Sequence, residues 1–237
     1  MRDSMRLFVG TSGWMYGWNA GSSLNWYVEN SKLNAIELNA SFYRFPFPNQ
    51  VRHWASAGKG LAWAVKVNRL ITHQYKLSVN CYGTFGKFMK LFKPLDERIR
   101  YFLFQLPPLL TPALMDNVER FLGEFDIAGR FALEPRNAAW FTEEVCARCR
   151  KLGITLVSVD APFARFVAKT SRDIYLRMHG RKDWYSYNYS AKELSGIYGS
   201  MLAEKPRNAF VFFNNDHDML GNARLMMRLG GARGANT

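Results

Sequence analysis

The 237-residue sequence predicts a single α/β domain of the TIM-barrel type, a (β/α)8 fold with eight parallel strands. Three observations predict it. Eight short apolar runs recur at a mean interval of about 29 residues, helical patterns fill most of the gaps, and no glycine-rich dinucleotide fingerprint follows the first run. An open, doubly wound sheet is the second choice, because it shares the alternation of strands and helices.

The runs, each read as a strand, are RLFVG from Arg6, NAIELN from Asn34, LAWAVKVN from Leu61 and RYFLFQLP from Arg100. RFALEPR from Arg130, ITLVSVD from Ile154, DIYLRMHG from Asp173 and AFVFFNN from Ala209 complete the set. Between them, stripes such as Leu114, Val118, Phe121, Leu122 and Phe125, or Leu194, Ile197, Tyr198, Met201 and Leu202, recur three or four residues apart and would face a sheet. Only APFARFVAKTSR separates the sixth and seventh runs, so the sixth helix is expected to be short or irregular. Nothing divides residues 1–237 into two domains, and GGARGANT at 230–237 reads as a mobile tail.

A hydrophobic share of 48% is enough to fill a core and argues against disorder. No run of eighteen apolar residues occurs and the first residues lack a signal-peptide pattern, so a cytoplasmic protein without a membrane partner is expected. Three cysteines, Cys81, Cys146 and Cys149, do not suggest a disulfide framework. The pair in CARC reads as packing rather than as a zinc or redox motif. A formal charge of +13 directs attention to anionic metabolites or nucleic acid, and oligomeric state is left open.

Side chains two apart on a strand share a face. In the seventh run Tyr175, Arg177 and His179 therefore point one way and Leu176 and Met178 the other. Polar residues also close the other runs: Glu37 and Asn39, Lys66 and Asn68, Gln105, Glu134 and Arg136, Ser158 and Asp160, Asn214 and Asp216. A barrel gathers such strand ends around one mouth, where enzymes of this fold carry their chemistry. The alternative is a self-neutralised ion-pair cap over the core, since an isolated buried charge is expensive.

VGTSGW at Val9, IELNASFYRFP at Ile36, KVNRLITH at Lys66, FQLPP at Phe104, LEPRNAAW at Leu133, YLRMHG at Tyr175 and FFNND at Phe212 occur in order. Together these motifs resemble the YecE-like family, domain of unknown function 72. The resemblance implies a TIM-barrel-like fold and no particular reaction. Its recurring polar positions coincide with Glu37, Asn39, Tyr43, Lys66, His73, Gln105, Glu134, Arg136, His179, Asn214 and Asn215. Pro135 and Asn137 stand where the family usually has Phe and His.

The chemistry expected at the mouth is binding of an anionic, phosphate-bearing ligand, with hydrolysis favoured over isomerisation. Lys66, Arg136 and Arg177 would fix the anion. Glu134 and His179 would exchange protons, with Glu37 and Asp160 as further carboxylates, while Asn39, Gln105 and Asn214 orient ligand or water. No cofactor is demanded, although Glu37, Glu134, Asp160, His179 and Asp216 could bind a divalent metal in a phosphodiesterase or endonuclease-like enzyme. RKDWYSYNYS, with Trp184, reads either as a platform for single-stranded nucleic acid or as a lid packed by its own aromatics. A non-catalytic binding protein is the third class.

Overall fold

The computed structural model describes residues 5–234. Its strands are β1 (Arg6–Thr11), β2 (Ala35–Leu38), β3 (Ala62–Lys66), β4 (Ile99–Gln105), β5 (Phe131–Glu134), β6 (Thr155–Leu156), β7 (Ser158–Ala161), β8 (Ala164–Phe166), β9 (Asp173–Met178) and β10 (Asn208–Phe213). The helices are α1 (Leu24–Asn30), α2 (Ala40–Tyr43), α3 (Pro48–Ala57), α4 (Tyr82–Phe92), α5 (Met115–Glu124), α6 (Glu143–Leu152), α7 (Ala191–Ala203) and α8 (Met219–Gly234). The local sequence sets several of their ends. Thr142 and Ser190 cap α6 and α7 through their side chains, and Gly153 ends α6 in the left-handed conformation at φ 69°.

All eight apolar runs form strands, but not as one eight-stranded ladder. Two five-stranded sheets are present, ordered β1-β10-β9-β7-β8 and β2-β3-β4-β5-β6, and every pairing is parallel except β7 with β8. The sixth run is divided between them, β6 pairing with β5 and β7 with β9. The short sixth helix does not form. The segment after β7 instead turns back as β8, since Ala164 to Phe166 pair with Val159 to Ala161.

At the β1–β2 edge, side chains do the work of a ladder. Asn34 Oδ1 accepts from Val9 N at 2.8 Å and its Nδ2 donates to Leu7 O at 2.9 Å, as a peptide group would. The Tyr27 hydroxyl donates to Ala35 O and accepts from Thr11 N. The strands approach so closely that a Cβ on Gly10 would lie 2.4 Å from Ala35 O.

The two sheets enclose an inner apolar cluster. Ala35, Ala62, Ala64 and Ala132 come from the second sheet, and Tyr175, Phe210 and Phe212 come from the first. Small and large residues together fill the interior, Tyr101 of the second sheet meeting Tyr175 and Phe210 edge-on, and the fold is a mixed, mainly parallel α/β structure compatible with the TIM-barrel class. The larger cluster, including Trp63, Phe85, Phe104, Phe121 and Trp140, lies on the opposite strand faces and the helices. Residues 230–234, expected in the tail, continue α8, while 235–237 lie outside the described residues. No described helix is long and apolar enough to cross a membrane.

Candidate functional site

The strand parity of β2, β5 and β9 brings Glu37, Glu134, Arg177 and His179 together, all fully buried. Arg177 lies between the two carboxyl groups. Its Nε and Nη2 donate to Glu37 at 3.0 and 2.6 Å, and its Nη1 donates to both oxygens of Glu134 at 2.9 and 2.8 Å. Tyr175, two residues earlier on the same face, donates to Glu37 Oε2 at 2.6 Å. Arg136 Nη2 lies 3.3 Å from Glu134 Oε1.

A polar relay runs from this cluster to the ends of β1 and β10. Ser12 Oγ donates to Asn214 Oδ1 at 2.6 Å, and Asn214 Nδ2 stands 3.3 Å from His179 Nδ1. His179 Nε2 then lies 3.0 Å from Glu134 Oε1. With Asn214 donating to Nδ1, the imidazole proton sits on Nε2 and is donated to Glu134. Asn39 donates to Ser12 O, and its own Oδ1 is buried without a partner among the described residues. Ser12, Tyr16 and Asn39 line a cavity of about 180 Å³ beside this relay.

These surroundings fix proton affinities. Burial alone would raise the Glu134 carboxyl, but Arg136, Arg177 and the His179 N–H outweigh it and hold it well below the usual range. Burial, then the charges of Arg136 and Arg177, push His179 down to about 3. Lys66 differs from both. Burial and the Arg177 charge lower it from 10.5 to about 7 against the opposing pull of Glu134 and Glu37. It is 7% exposed, sits 4.0 Å over the Phe42 ring, and has no ion pair or hydrogen bond of its side chain among the described residues.

Several expected residues border the cluster. His73 stacks edge-on against Phe42, lowered by burial and by Lys66 and Arg69. Tyr43 is 70% exposed beyond that ring, and Gln105 ends β4 in register with Glu134. Trp184 lies over Arg136 at 4.8 Å and also contacts Phe163 and His179. The loop that carries it is tied at its ends, Gly180 at φ 97° donating its N–H to Tyr189 Oη, while Trp184 and Tyr185 are exposed.

Two assignments need correction. Asp160 does not join the carboxylates, because Val159 takes the inner face and Asp160 turns outward to Arg181 and Tyr189. Asn215 also turns away, donating to Tyr187 O and Asn222 Oδ1. Consequently the five residues considered as metal ligands do not assemble, and no group of three or more His, Cys, Asp or Glu among the described residues could hold a metal ion. Cys146 and Cys149 are buried packing residues of α6. Sequence reasoning left Tyr175 and Ser12 out of the site, although Tyr175 shares the Arg177 face and Ser12 directly follows β1.

The family described as protein of unknown function DUF72 matches residues 8–236. The chain belongs to this family. A DUF72 protein from Thermotoga maritima is 24% identical, with a TM-score of 0.81 over 94% of this chain and 98% of its own. One from Enterococcus faecalis is 20% identical, with a TM-score of 0.82 over 96% and 98%. These DUF72 structures establish the shared fold. No curated protein matches the sequence.

Proposed function

We propose that this DUF72 chain is an enzyme acting at the carboxyl-terminal mouth of its strands on a small anionic substrate. A phosphate-bearing compound is the favoured substrate and hydrolysis the favoured reaction. In this reading the two sheets act as one barrel, since Glu37 of one meets Arg177 of the other across the interior. The observation that carries it is Lys66, whose side chain is largely buried, whose amine has no carboxylate in ion-pair range among the described residues, and whose proton affinity lies near neutrality.

The roles differ from those the sequence suggested. Glu134, held ionised by two arginines, is a poor acid, and His179, lowered to about 3, is a poor base at neutral pH. Proton transfer therefore falls to Lys66. Arg136 supplies the fixed charge for the anion, as its Nε is buried without a partner. Arg177 is committed to Glu37 and Glu134 and acts as a positioning residue. Asn39 and the Ser12–Asn214–His179 relay orient ligand or water.

p-Nitrophenyl phosphate and bis-p-nitrophenyl phosphate test the mono- and diesterase forms of this reading. Turnover is expected to fall as pH drops through about 7 and to vanish in Lys66→Met. No turnover of either ester, or full activity in Lys66→Met, overturns it. Exposed Trp184 and Tyr185 beside Arg136 favour a second reading, the binding of single-stranded nucleic acid. Oligonucleotide affinity that falls steeply with salt and in Trp184→Ala would support that reading.

A further inference from the structure

At the opposite end of the strands, five arginines surround one pit. Arg6 opens β1, Arg100 is the second residue of β4, and Arg130, Arg172 and Arg207 immediately precede β5, β9 and β10. The strand starts therefore bring together side chains from separate parts of the chain. The pit has a volume of about 280 Å³, and Asp173 is the one carboxylate lining it among the described residues. Among those residues, five arginines and one aspartate give the lining a net +4.

The existing partners use little of that charge. Asp173 is already tied to Asn208 at 2.7 Å and to the Tyr101 hydroxyl at 3.2 Å, with Arg172 3.6 Å away. Arg130 is held by Asp96, outside the lining. The guanidinium groups of Arg6, Arg100 and Arg207 have neither ion pair nor hydrogen bond among the described residues. Phe8 and Phe210, stacked at 4.7 Å, and Tyr101 form a rigid floor. Like charges crowded above an apolar floor repel one another and gain when a compact polyanion enters, and planar guanidinium forks match phosphate oxygens.

We propose that this pit is a binding site for a small oligophosphate, a ligand with two or more linked phosphate groups, separate from the mouth. Its volume lies at the lower edge of the roughly 300–1,000 Å³ common for small-molecule sites, which suits such an anion better than a larger ligand. The proposal does not depend on the activity proposed for the mouth.

Calorimetric titration with inorganic tripolyphosphate at low salt tests it, in the intact protein and in Arg100→Ala/Arg207→Ala. Both arginines are exposed and unpaired, so the double variant should keep the parent's urea midpoint. Saturable one-site binding is expected, weakened about 10-fold or more in the double variant, as for the loss of charge-assisted bonds. The mouth variant Lys66→Met should bind as tightly as the parent. No saturable binding, equal binding by the double variant, or loss confined to Lys66→Met would overturn the assignment. A single-stranded oligonucleotide that competes at equal phosphate concentration would transfer the site to nucleic-acid backbones and equally refute it.

Discussion

Replacing Lys66 by methionine should remove a pH dependence of stability that the buried amine imposes. An unfolded lysine titrates near 10.4, whereas folded Lys66 titrates near 7. Between those values the unfolded chain binds one more proton than the folded one, so stability rises with pH. Below 7 both states are charged and the full cost of burying the ammonium remains. From pH 7.0 to 8.5 the expected gain is about 1–2 kcal/mol, since each unit of pH with the proton held only in the unfolded state contributes about 1.4 kcal/mol. The thiols oppose this trend toward the top of the window but cancel between parent and variant: Cys81 and Cys149, pushed up by burial to about 11 and 12, and Cys146, also raised by burial, cost stability as pH rises through the unfolded thiol value of about 8.5. The window lies above the histidines, because His73 and His179 are both lowered. Urea denaturation of parent and Lys66→Met at the two pH values measures the effect. The parent should gain stability between them and the variant should not, while being the more stable protein at pH 7.0. Equal slopes would refute the claim that Lys66 is a buried cation without a partner.

Arg177→Met strands two buried carboxylates and should cost about 3–5 kcal/mol, roughly 6–20 °C in Tm for a chain of this size, measured by calorimetry. A loss below 1 kcal/mol would mean that Glu37 and Glu134 find other partners. Because Glu134 titrates well below its unfolded value, its contribution to stability is present above about pH 4.5 and lost as pH falls toward its folded value. Glu134→Gln should therefore flatten the acid limb of the stability curve. Asn34→Ala removes both hydrogen bonds at the β1–β2 edge and should cost about 2–3 kcal/mol and speed exchange of the Val9 amide, read by hydrogen exchange. Asp160→Asn should lower stability by loosening Arg181 and leave ester turnover at the mouth intact.

Much of this architecture was legible from period-two alternation. Glu37, Glu134, Arg177 and His179 fell on the inner face because Ile36, Leu133, Leu176 and Met178, their strand neighbours, belong against helices. Asp160 defeated the same logic. In ITLVSVD both faces carry apolar residues, and Val157 and Val159 won the interior while Ser158 and Asp160 turned outward. Outward polar groups are tolerated there because each finds a partner: Ala168, just after β8, bonds Ser158, and Arg181 and Tyr189 of the loop after β9 bond Asp160. The proton affinities were not legible either. Lys66, Arg136 and Arg177 look alike in sequence, and only their distances from Glu134 separate a committed guanidinium from a solitary amine. The arginines at the strand starts were visible as letters, but their convergence on one pit requires knowing that β1, β4, β5, β9 and β10 begin at the same end.

Most joins in this protein are generic, because peptide groups pair with peptide groups whatever side chains they carry. The boundary between β1 and β2 is different: an asparagine amide and a tyrosine hydroxyl stand in for main chain. That seam is spelled out by individual codons, so drift in this lineage can loosen or tighten the wall there, one substitution at a time, while leaving the rest of the weave untouched.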